Sequence, residues 1–177
     1  MRFTFIIGGA LLAFTFAPAT AYALTECASC RESAGLPPGQ VAADAALAML
    51  GVPYAWGGGD VTGPTLGTGR GRRTKGFDCA GLTEYAWARA GLSIGSSTYT
   101  QWRSGSRIPR HRVQAGDLAF YETNAKRRGP DHVGLTINGE QMVVAPFTGA
   151  VVRIENIDRR GYAGIIRPAG ADDRRGM

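Results

Sequence analysis

The chain has 177 residues, 44% of them hydrophobic, with 26 glycines, which sets the scale of one domain with its own core and many turns. Its formal charge of +6 is scattered, without the aromatic-studded basic stripe that a nucleic-acid partner would call for. Three cysteines are too few for a disulfide scaffold, and no heptads or repeats suggest a coiled coil or a solenoid.

The elements follow in chain order. Arg2, the apolar run Phe3 to Phe16 and the small-x-small signal Ala21-Tyr22-Ala23 read as a secretory signal peptide over 1–23. The apolar run is too short to span a bilayer, and no transmembrane segment is expected in the mature chain. The expected location is therefore secreted, in the cell wall or the periplasm. Removal of Arg2 leaves a net charge of about +5, which suits a polyanionic surface such as a bacterial wall. Residues 24–40 form a leader whose Cys27 and Cys30 suit a local disulfide in an oxidising compartment. That leaves Cys79 as the odd thiol.

Val41 to Leu50 is Ala-rich with helical spacing, and Gly51 stops it. Asp60 to Lys75, dense in Gly, Thr and Arg, reads as a loop. Phe77 to Ala90 reads as a helix that begins at or just after Asp78, its N-cap, and ends before Gly91. Thr98 to Arg103 reads as a short helix. Strands are expected over 117–122, 132–137, 141–145, 150–154 and 161–168, with a tight turn at Asn138-Gly139. Helices first and strands later imply an α+β domain, with N-terminal helices packed on an antiparallel sheet. The domain is placed at 41–168 and a polar, flexible tail at 169–177.

Chemistry concentrates in two places. Cys79 falls in the first turn of its helix, where free N–H groups and the helix dipole should lower its pKa and make it react faster than free cysteine near neutral pH. A buried structural thiol is the alternative. His132 opens a strand and can serve as general base. His111 lies in the basic stretch 107–112 and reads as a surface residue. The C-x-x-C pair alone supplies too few ligands for zinc, and no metal or cofactor is expected.

Four segments occur in an informative order: Gly51-Val52-Pro53-Tyr54-Ala55-Trp56-Gly57-Gly58, Gly76-Phe77-Asp78-Cys79-Ala80-Gly81-Leu82, Gln114-Ala115-Gly116-Asp117-Leu118-Ala119-Phe120-Tyr121 and His132-Val133-Gly134-Leu135. On these the chain resembles the NlpC/P60 peptidoglycan endopeptidases, a papain-like group of cysteine peptidases, and in its 59–75 insert the actinobacterial branch. The resemblance implies a papain-like NlpC/P60 fold. It also implies hydrolysis of peptidoglycan stem peptides at a D-γ-glutamyl-diaminopimelate type bond by a monomer, with Cys79 as nucleophile and His132 as base. Tyr54, Asp78 and Trp56 would contact the substrate. Otherwise Asp78 only caps its helix, and Tyr54 and Trp56 only fill the core.

Two positions depart from the family pattern. Ala80 stands where Ser commonly follows the nucleophile. Val144 stands twelve positions after His132, where the family carries a polar residue that orients the base. A two-residue turn at Asn138-Gly139 would instead bring Val143, Ala145 and Gln141 to the His132 face. The departures leave two further readings: a wall-binding module with weakened catalysis, and a related thiol amidase or acyltransferase.

Overall fold

A computed structural model describes residues 35–171. The signal peptide, the Cys27 and Cys30 pair and the tail beyond residue 171 lie outside the described residues.

Helix α1 (Pro38–Leu47) begins and ends three residues earlier than the spacing suggests. The Pro37-Pro38 pair, read as a breaker, starts the helix. Pro38 stands in the first turn, where its missing N–H is no loss and its fixed φ already suits a helix. The buried face of α1 is made of Gly39, Ala42, Ala43 and Ala46, so its neighbours approach closely. A Cβ on Gly39 would lie 2.4 Å from the Ala115 carbonyl oxygen.

Within the 60–75 segment, a two-residue strand pair, β1 (Thr65–Leu66) and β2 (Lys75–Gly76), closes the expected loop. Helix α2 (Cys79–Arg89) follows as expected, capped by Asp78, whose Oδ1 accepts from the Gly81 N–H at 2.8 Å. Gly91, at φ +79°, supplies the left-handed residue that ends it. Helix α3 (Thr98–Gln101) is shorter than expected and opens with a capping box between Ser97 and Thr100.

Six strands form one antiparallel sheet: β3 (Gly105–Ile108), β4 (Leu118–Tyr121), β5 (His132–Thr136), β6 (Gln141–Val144), β7 (Arg153–Asn156) and β8 (Tyr162–Pro168), in the order β3-β8-β4-β5-β6-β7. Strand β3 was not expected. It is a short edge strand without apolar alternation, held through pairing with β8. The strand expected at 150–154 moves to β7, and Val151 makes only an isolated bridge to Pro53.

One sheet face carries Leu118, Phe120, Val133, Leu135, Val143 and Ile166 into a core shared with Ala42, Leu82, Ala86 and Trp87 of the helices. Burial of these side chains contributes roughly 1.5–3 kcal/mol for each large one. The opposite face holds a smaller cluster of Ala119, Tyr121, Met142, Ile157 and Ile165. Ala171, placed in the tail by its sequence, packs on the main core at 8% exposure. Among the described residues, no helix is long and apolar enough to cross a membrane.

The β5–β6 turn fixes which residue shares the His132 face. Leu135 pairs with Val143 and Thr136 with Met142, so residues 138–140 make a three-residue connection. Asn138 stabilises it by accepting from the Glu140 and Gln141 N–H groups at 2.8 and 2.7 Å. The two-residue alternative is therefore not adopted. Strand alternation puts Val144 on the face of His132 and turns Val143, Ala145 and Gln141 to the other.

Candidate active site

Cys79 is the first residue of α2 and is half-buried. His132 is the first residue of β5 and is 7% exposed. The backbone amides of Val133 and Ala80 lie close enough to the Cys79 sulfur to favour its thiolate. The start of α2 thus lies close to the start of β5. The sequence placed both residues at these element starts.

The expected fall in the thiol pKa does not occur. Burial pushes the Cys79 thiol up to about 12, and the neighbouring Asp78 carboxylate adds to the rise. The amide donors oppose this without overcoming it. Burial also lowers the His132 imidazole to about 4, helped by the cation of Arg159. At neutral pH both partners are uncharged. Alkylation of the free protein by iodoacetamide at pH 7 should accordingly be slower than that of free cysteine, and should accelerate as pH rises above 9. A faster reaction than free cysteine at pH 7 would contradict the burial account.

His132 Nε2 is buried and has no hydrogen-bond partner among the described residues. Val144, on the same face, is fully buried and offers none. The imidazole instead lies beside the Tyr121 ring, with centroids 6.2 Å apart. Tyr121 pairs with His132 across β4 and β5, and its hydroxyl donates to the Ile157 carbonyl at 2.8 Å. Arg159 covers that ring at 4.4 Å and is itself bonded to Glu155.

The other candidate residues divide. Tyr54 is 7% exposed, and its hydroxyl pKa is pushed up by burial and then by the charges of Cys79 and Asp78, which lie within electrostatic reach. Both Asp78 oxygens accept backbone N–H groups, Oδ1 from Gly81 at 2.8 Å and Oδ2 from Gly57 at 3.0 Å. Asp78 therefore caps α2 and also ties down the 53–60 segment. Burial raises its pKa. Trp56, at 56% exposure, is not a core residue. His111 is exposed in a short 3₁₀ turn.

Sequence reasoning missed Gln101. It is fully buried and donates to the Ala80 carbonyl at 2.9 Å, while its Oε1 accepts from Thr83 at 2.8 Å. It locks α3 to the first turn of α2. A polar residue three positions into a capped turn gives no signal of this long-range bond.

Known proteins are similar to this chain in sequence and fold. The model of the NlpC/P60 family matches residues 51–166. The peptidoglycan endopeptidase RipA of Mycolicibacterium smegmatis is 36% identical over 115 residues, which cover 65% of this chain and 22% of that protein. RipB of Mycobacterium tuberculosis is 36% identical over 113 residues, covering 64% of this chain and 45% of RipB. The match thus spans less than half of either relative. Among solved structures, the peptidoglycan hydrolase RipB aligns with a TM-score of 0.67 at 33% identity, over 73% of this chain and 64% of that one. RipD of Mycobacterium tuberculosis, described as a non-catalytic NlpC/p60 domain protein adapted to peptidoglycan binding, aligns with a TM-score of 0.66 at 33% identity, over 75% of this chain and 98% of that one. With the α+β fold and the ordered motifs, these matches establish that the chain belongs to the NlpC/P60 family.

Proposed function

We propose that the chain is a secreted cysteine endopeptidase that cleaves peptidoglycan stem peptides at a D-γ-glutamyl-diaminopimelate type bond. The observation that carries this reading is the nearness of the Cys79 sulfur, at the start of α2, to the backbone amide of Val133, the residue following His132 at the start of β5. Cys79 is the nucleophile and His132 the general base. As the sulfur attacks the amide carbon, neutral His132 takes the thiol proton, and the N–H groups at the start of α2 favour the developing oxyanion. The imidazolium then gives that proton to the departing amine. Water, deprotonated by the same imidazole, hydrolyses the thioester and regenerates the thiol. Tyr54, Asp78 and the exposed Trp56 border the acyl side of the substrate.

In this reading the signal peptide at 1–23 exports the protein, a Cys27–Cys30 disulfide closes the leader, and 41–168 acts as a monomeric catalytic domain. Its partner is the stem peptide rather than a nucleic acid.

A second reading, a wall-binding module with weakened turnover, is favoured by the partnerless His132 Nε2 beside Val144. The two separate on purified sacculi. The enzyme releases soluble peptides and Cys79→Ala releases none, although both sediment with the wall. Equal binding with no release by either protein would leave the module.

A further inference from the structure

A cleft of about 290 Å³ lies between α3 and the loop that leads into β5, lined by Tyr99, Trp102, Arg103, Arg127, Arg128 and Pro130. One wall is tied to the helix that carries Cys79, and the other leads into the strand that carries His132. Gln101 of α3 is bonded to the carbonyl of Ala80, the residue after Cys79. Pro130 stands two residues before His132. None of the lining residues belongs to the 53–60 segment or to Asp78, so the cleft is separate from the surface those residues form.

The cleft has one sign of charge, because three guanidinium groups line it and no carboxylate does. Arg127 and Arg128 are exposed, and neither forms an ion pair among the described residues. Arg103 lies over the Tyr99 ring at 3.7 Å and donates to the Tyr99 carbonyl at 2.9 Å, so its position is fixed. Trp102 is braced edge-on by Phe120 at 5.0 Å and covered by Arg107 at 4.3 Å. The result is a braced aromatic wall facing unpaired guanidinium forks. This chemistry takes a planar anion on a short aliphatic stem.

We propose that this cleft is the subsite for the amine side of the scissile bond, where Arg127 and Arg128 hold the free side-chain carboxylate of the residue that becomes the new N-terminus. The inference rests on the endopeptidase reading and adds a preference to it. A peptide with diaminopimelate at that position binds better than one in which the same carboxylate is amidated. The aliphatic arm lies on Tyr99 and Trp102. Phosphate presents similar oxygens, but the cleft's two walls connect to the starts of α2 and β5, which favours the peptide bearing the scissile amide.

The test uses the full mature chain with Cys79→Ala, so that substrate survives, and compares it with the same chain carrying Arg127→Gln and Arg128→Gln. Both changes are at exposed side chains, and a thermal melt checks the fold. Calorimetry measures binding of the tetrapeptide L-Ala-γ-D-Glu-diaminopimelyl-D-Ala and of its side-chain-amidated form. The double variant should bind the free-carboxylate peptide about tenfold more weakly and the amidated peptide within about twofold of the parent, a difference on the scale of one charge-assisted pair. Equal weakening for both peptides, or none for either, overturns the subsite. So does tight binding of glycerol phosphate that leaves peptide binding undisturbed, which would make the cleft a phosphate site. Failure of the parent to bind either peptide overturns the endopeptidase reading along with it.

Discussion

Val144→Glu should raise the rate of stem-peptide cleavage by about 10- to 100-fold, the scale on which an orienting group changes the action of the residue it holds. Register fixes the geometry of this gain. The three-residue turn puts position 144 on the His132 face, and Nε2 of that imidazole has no hydrogen-bond partner. A carboxylate there would accept the Nε2–H, select the tautomer whose other nitrogen receives the thiol proton, and stabilise the imidazolium. Position 144 is fully buried, so an unpaired carboxylate would cost about 1–3 kcal/mol or more, and part of that cost is offset only if the bond to His132 forms. Val144→Gln, which orients without a charge, should give a smaller gain. Initial rates of peptide release, with a melt for each variant, check both. Folded variants with unchanged rates would show that the base is held by something other than position 144.

His132→Ala should lower the rate by about 10²- to 10⁴-fold, the usual contribution of a positioned base. The pH profile carries the same claim with a definite sign. A base works in its unprotonated form. With the imidazole lowered to about 4 by burial, activity should rise through pH 4 and be full by pH 6, whereas an ordinary histidine would give half activity near 6.5. A carboxylate at position 144 favours the protonated imidazole, so the acid limb of Val144→Glu should move upward. The thiol, pushed up to about 12, adds no ionisation near neutrality. An acid limb that stays at 6.5 in the parent would mean that His132 is more solvated than its 7% exposure implies.

The fold was largely legible where one element buries one face. The α2 boundaries followed from Asp78 and Gly91, and β4, β5 and β6 from short apolar runs, two of them joined by the turn at Asn138-Gly139. Boundaries failed where local signals compete. Pro38 can break a helix or start one, and the choice is made by packing of the small α1 face against residue 115. Strand β3 and the β1–β2 pair have too few apolar residues to be seen without their partners. In the site, the positions of Cys79 and His132 were readable because element starts are locally encoded. Their protonation was not. Helix-start arguments predicted a low thiol pKa, but the sign is set by desolvation against the core, which forms around Cys79 only in the folded chain. The role of Val144 needed the β5–β6 register, which Asn138 fixes through two backbone bonds.

The most direct test of the account is cleavage of one defined bond under single-turnover conditions, with protein in excess over a diaminopimelate-containing tetrapeptide, so that slow chemistry by an unanchored base is still seen. Product masses should show a single cut between γ-D-glutamate and diaminopimelate in the parent protein and no cut with Cys79→Ala. Cleavage that persists in Cys79→Ala, or a parent that binds the peptide and leaves it intact, would contradict the claim that Cys79 is the nucleophile of a working peptidase.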